Sequence, residues 1–164
     1  MPSAWIVYAC LGTGITAALV GGVFQSFSDF VMAGLLRAAP AGGIEAMQQL
    51  NRTVFRSVFL ASFIALVPAT LALALYGWLS LAGTAKWLLV AAALFYVLGV
   101  FLVTAFGNVP MNERLDGMAH TSEAAASYWR TYGRVWTGWN HVRTLGSVAT
   151  AVCLLLASLA LASE

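Results

Sequence analysis

Four runs of about 20 apolar residues punctuate this chain, and each is long enough to cross a hydrocarbon core about 30 Å thick. The first reads from Ala4 to Leu36, with an unbroken apolar stretch from Trp5 to Phe24. The second is densest from Val54 to Tyr76, the third from Trp87 to Phe106, and the fourth from Leu145 to Leu161. Charged residues make up only 9% of the 164, against about 25% in a soluble domain. So few charges cannot cover a water-facing surface. The 61% hydrophobic share excludes disorder, and a net charge of +2 supplies no field of the kind nucleic acid requires. The expectation is an all-α integral membrane four-helix bundle, with residues 1–164 forming a single four-span domain.

Charge placement gives an orientation. Arg37, Arg52 and Arg56 follow the first span, and Arg114, Arg130, Arg134 and Arg143 follow the third. Only Lys86 lies between spans two and three. Basic residues favour the cytoplasmic side, so both termini are expected outside, with the cell inner membrane as the location. Trp5, Trp78 and Trp87 then mark the outer headgroup layer. The first span lacks a basic leader and outruns the apolar core of a signal peptide, so cleavage is not expected.

Local signals set the connections. The short Gly77–Lys86 segment predicts an antiparallel hairpin of spans two and three. Pro68 removes a backbone donor inside span two and predicts a kink. Gly42-Gly43 is expected to break the chain after span one. Thr121-Ser122-Glu123 reads as a helix start, with a hydroxyl to cap and an acid in the first turn. A helix running from there into span four would form a long cytoplasmic extension. Gly14, Ala18 and Gly22 share a face that permits close helix approach. Cys10 and Cys153 both sit in apolar runs, which indicates neither a disulfide framework nor a zinc site.

The few polar residues gather at one depth. Gln25, Ser26 and Asp29 lie near the inner end of span one; Asn51, Arg52 and Arg56 open span two. Asn108 and Asn112 follow span three, and Asn140, His141 and Arg143 precede span four. Ionisable groups at membrane depth are costly, which makes them functional suspects. Along the last helix, Trp129, Tyr132, Gly133, Trp136, Asn140, Arg143 and Ser147 fall on one stripe at about 100° per residue. Flat aromatic surface beside an amide and a guanidinium suits a planar, oxygen-bearing ligand. Arg130, Arg134 and His141 lie about 100° away, on a basic face suited to phospholipid headgroups. Asp29 with Arg52 or Arg56 reads equally well as a structural ion pair. No His/Cys/carboxylate spacing matches a closed metal site, and haem ligation by His141 stays open.

The ordered set of Gly22-Val23-Phe24, Phe30-Val31-Met32, MQQLNRTVF (Met47–Phe55), NVPMN (Asn108–Asn112) and WNHVRT (Trp139–Thr144) resembles the anthrone-oxygenase-like family of small four-span membrane proteins. The resemblance covers nearly the whole chain. It implies oxidation of an anthrone- or quinol-like aromatic by O2, with no cofactor required. Such chemistry needs an apolar slot, a base, and donors for an enolate oxygen. Trp136 and Tyr132 would form the slot; Arg143, Asn140, Asn108 and Asn112 would donate; Asn51 and Arg52 would help hold the substrate; His141 or Asp29 would be the base. Two other classes fit the same residues: a non-catalytic binding or transport protein for an amphipathic aromatic compound, and an accessory membrane subunit. Lipid is the expected surrounding partner, and a homo-oligomer is left open.

Overall fold

The computed structural model describes residues 4–163. They form helices α1 (Ala4–Arg37), α2 (Pro40–Thr53), α3 (Val58–Ser80), α4 (Gly83–Asp116) and α5 (Glu123–Ala162), with no strand among the described residues. Four of the five, all but α2, are long and apolar enough to cross a membrane. The chain is an all-α, membrane-spanning bundle. Large apolar side chains such as Tyr8, Leu19, Leu75, Leu79 and Phe106 remain exposed on its sides, as a lipid-facing surface requires.

α5 is the axis of the bundle. Ser122 caps it, its Oγ accepting from the amide of Ala125 at 3.1 Å. Forty residues then run without a break, about 60 Å at 1.5 Å per residue. That is twice the hydrocarbon thickness, so one half spans and the other extends beyond. α1 and α4 pack along the spanning half, and a short Leu81–Ala82 connection folds α3 back against α4. At the end where α1 begins and α5 finishes, Ile6, Leu73, Leu89, Leu154 and Leu161 form one core. Trp78 and Trp87 meet edge-to-face there at 5.8 Å, with Lys86 Nζ 4.0 Å from the Trp78 ring. A middle core joins Phe24, Phe63, Leu66, Tyr96 and Val100. A third, of Met32, Ile44, Met47, Leu115, Trp129 and Tyr132, lies at the arginine-rich end.

Several local expectations change. Gly42-Gly43 does not break the chain, because Pro40 occupies the first turn of α2 and supplies a helix start just before them. Gly43 is instead where α2 presses on α1: an added Cβ would run into the Leu35 carbonyl oxygen. Pro68 lies inside α3, where the sequence placed it. The inward face of α1 carries Gly14, Ala17 and Gly21, whereas Ala18 and Gly22 are exposed. α1 contains a wide π turn at Phe27–Val31, and α4 has two such stretches, Val97–Leu102 and Thr104–Asn108. Each π turn inserts a residue into the helical repeat, and such turns gather at functional sites.

Candidate functional site: an aromatic cavity around a buried arginine

A cavity of about 510 Å³ opens at the arginine-rich end, walled by α1 and α3, the ends of α2 and α4, and α5. Its size suits a small organic ligand. Arg143 stands 19 residues before Ala162, about 29 Å along the helix, which is close to the thickness of a hydrocarbon core.

The walls are aromatic. Phe24 and Phe27 come from α1, Phe59 and Phe63 from α3, and Trp136 from α5. Phe24 meets Phe59 edge-on at 5.5 Å, Phe59 and Phe63 lie nearly parallel at 6.4 Å, and Phe27 tilts against Trp136 at 5.8 Å. The pairs follow helical spacing, since residues three and four apart share a face. Exposed Val23 and Phe55 also border the cavity, giving it an apolar side toward lipid.

Arg143 is the one buried cation here, only 6% exposed. Its guanidinium carbon lies 4.4 Å from the centre of the Phe24 ring and 5.1 Å from that of Trp136, close enough for cation–π attraction. One Nη donates to Asn140 Oδ1 at 2.5 Å, while Nε is buried with no partner. No carboxylate neutralises it: the only ion pair among the described residues is Arg52 Nε–Asp116 Oδ1, at 2.8 Å. An unpaired buried charge costs several kcal/mol. An anionic ligand oxygen would relieve that cost.

Asn140 holds the arginine in place. Its Nδ2 donates to the Phe24 carbonyl and to Ser28 Oγ, each at 2.6 Å, and its Oδ1 receives Arg143. One side chain thereby ties α5 to the backbone entering the α1 π turn. Asn112 does the corresponding work on α4: its Oδ1 accepts from Tyr132 Oη and Trp136 Nε1, both at 2.8 Å. This fixes the Trp136 ring and leaves the Asn112 amide group as its remaining donor. Arg52, Asp116 and Glu113 are exposed and stand at the cavity mouth.

Six of the residues singled out in the sequence meet on this wall: Asn51, Arg52, Asn112, Trp136, Asn140 and Arg143. Four do not. Tyr132 is fully buried behind Trp136, stacked between it and Trp129, so it backs the slot rather than forming it. Asn108 is fully buried as well, its Nδ2 donating to the Trp136 carbonyl at 3.1 Å. Asp29 is exposed and away from the cavity, because it falls inside the Phe27–Val31 π turn, where an α-helical projection misplaces side chains. It pairs with neither Arg52 nor Arg56; Arg52 reaches Asp116 instead. His141, about 100° around α5 from Asn140, is exposed in a separate groove. The four phenylalanines and Glu113 were not anticipated. The Phe24/Phe27 and Phe59/Phe63 spacings were the available signal, and Glu113 directly follows NVPMN.

The anthrone oxygenase family model matches residues 52–153, more than half of the chain. The chain belongs to the anthrone oxygenase family. No curated protein and no solved structure matches it. The match to the anthrone oxygenases spans α3, α4 and most of α5, and so includes Asn112, Glu113, Trp136, Asn140 and Arg143. The α1 side of the cavity, with Phe24 and Ser28, lies outside it.

Proposed function

We propose that this protein oxidises a fused-ring, anthrone- or quinol-like aromatic with O2 in the cavity around Arg143. The observation that carries this reading is the uncompensated Arg143 guanidinium, buried between aromatic rings. An enolate or phenolate oxygen on a flat ring system matches both features: the charge meets Arg143 and the rings enter the phenylalanine slot.

With an anthrone, the reaction converts one ring methylene to a carbonyl. A base removes a proton from the methylene, leaving an electron-rich anion whose oxygen rests on Arg143. The anion passes one electron to O2, and the two radicals combine into a carbon-bound peroxide that takes up a proton. Loss of the second C–H proton with cleavage of the O–O bond gives the carbonyl and one water. One O2 is consumed; one of its atoms enters the product and the other leaves as water. Preorganised donors at the site of developing charge supply most of the acceleration in chemistry of this type.

In an anthrone the oxygen and the methylene lie across the central ring from each other, so anchor and base must face each other across the slot. Of the two carboxylates that line the cavity, Glu113 is the candidate base, since Asp116 is engaged by Arg52. His141 and Asp29 would need a route into the cavity that their exposed positions do not provide. The arginine-rich end faces the cytoplasm in this reading, with both termini outside and the inner membrane as the location. Substrate enters sideways from the bilayer, past Val23 and Phe55.

The test is oxygen uptake by the detergent-purified protein given an anthrone, with the product identified by spectrum and mass. A rate above spontaneous autoxidation, with one atom of labelled dioxygen in the quinone, is expected. A rate equal to that of protein-free micelles removes the enzyme reading, and binding without turnover then makes this a binding protein.

A further inference from the structure

On the other side of α5 lies a second, shallower depression of about 590 Å³, whose residues the oxidation does not use. Its basic wall is Arg130, Arg134 and His141, all exposed. With Thr137, these residues fall within about 60° of one another around the helix, so they form one rail. Opposite stand Met32, Ala33 and Leu36 of α1, an apolar wall. Gly138 forms part of the floor, and a Cβ added there would meet nothing within 4 Å. The groove is therefore open space between a cationic and an apolar face. Among the described residues, Arg130 and Arg134 have no carboxylate in bridging range and donate no side-chain hydrogen bond.

The depth of the groove selects its occupant. His141 stands 21 residues before Ala162 and Arg134 stands 28 before it, about 32 and 42 Å along α5. With Ala162 in the outer headgroup layer, a bilayer about 40–45 Å thick including both headgroup layers ends near Arg134. Arg134 thus stands at the inner headgroup layer and Arg130, one turn further, at its aqueous edge, while Met32 and Leu36 offer apolar surface alongside. We propose that this groove is a binding site for an anionic phospholipid, its phosphodiester held by Arg130 and Arg134 and its glycerol and upper acyl chain laid over Gly138 against α1. Charge complementarity and depth both favour an anionic lipid over a zwitterionic one, whose own ammonium would meet the same arginines.

The experiment uses the full chain in neutral detergent, with phosphatidylglycerol and phosphatidylcholine supplied together and retained lipid counted by native mass spectrometry. One phosphatidylglycerol per chain is expected to survive delipidating detergent, in preference to phosphatidylcholine. Arg130→Ala and Arg134→Ala should each weaken that binding about fivefold. Gly138→Leu should weaken it without changing charge, by filling the floor. Arg56→Ala, an exposed arginine away from the groove, should leave it unchanged. Equal retention of the two lipids overturns the proposal, as does an Arg56→Ala effect equal to that of Arg130→Ala, which would mean diffuse charge attraction. Full displacement of the lipid by an equal concentration of inorganic phosphate also overturns it, since the groove would then take a soluble anion. Should the arginine variants fail to fold, Gly138→Leu decides alone: undiminished phosphatidylglycerol binding by that variant removes the site.

Discussion

The central carbon of the Arg143 guanidinium stands 4.4 Å from the centre of the Phe24 ring. Asn140, three residues earlier on α5, binds both the Arg143 side chain and the Phe24 carbonyl. Charge, ring and backbone are thus held as one unit between α1 and α5, and the cavity cannot lose its cation by a simple side-chain swing without breaking that unit.

Arg143→Ala should lower affinity for a hydroxyanthraquinone by roughly ten- to hundredfold, because a charge-assisted hydrogen bond is worth about 1.5–3 kcal/mol. Arg143→Lys should recover only part of this, since an ammonium lacks the planar fork and the ring stacking. Quenching of the dye's fluorescence in micelles measures it, at equal folded yield and against Arg56→Ala. Equal losses in the Arg143 and Arg56 variants would mean that total charge, not placement, is being read.

Glu113→Gln should leave dye affinity nearly intact and lower turnover of an anthrone by about 10²- to 10⁴-fold, the range for losing a general base. Single-turnover kinetics separates the two effects. A Glu113→Gln protein that turns over normally would move the base elsewhere, and the same measurement on His141→Ala and Asp29→Asn would locate it.

Two glycine substitutions should act in opposite directions. A Cβ on Gly146 would lie 2.9 Å from Val100 Cγ2 and 3.1 Å from the Gly99 carbonyl carbon, so α4 and α5 must part. Gly146→Ala is expected to cost about 1–3 kcal/mol, the range for overpacking. Gly22 has nothing within 4 Å, and Gly22→Ala should be neutral or stabilising by up to about 1 kcal/mol through helix propensity. Thermal unfolding in detergent distinguishes them.

A reporter fused after residue 164 should behave as non-cytoplasmic, because seven of the eight Lys and Arg residues, all but Lys86, lie toward the other end. Cytoplasmic activity of that fusion would invert the orientation and place the cavity outside.

The spans and the polar stripe of α5 were legible because hydrophobic length and an unbroken 3.6-residue period carry directly into structure. Trp129, Tyr132, Gly133, Trp136, Asn140, Arg143 and Ser147 are all buried on one helix face. α2 was not legible, since six of its 14 residues are polar and its glycines read as a break, whereas tertiary packing on Leu35 and Trp129 makes Gly43 an asset. Asp29 was misplaced for a related reason: a π turn adds a residue that no period in the sequence announces. The phenylalanine slot was hidden among other apolar residues, because composition alone does not separate a ring facing a cavity from a ring facing lipid.

The unbroken length of α5 couples what its two sides do. Trp136, Asn140 and Arg143 face the cavity, and Arg130, Arg134 and His141 face the outer groove, about 100° around the same helix. No proline or π turn lies between these positions to let one stretch twist independently of the other. A small roll of this rod that turns Arg143 toward the cavity must also swing Arg134 relative to α1. The membrane's composition at one surface could in that way set the aim of a side chain that the lipid never touches.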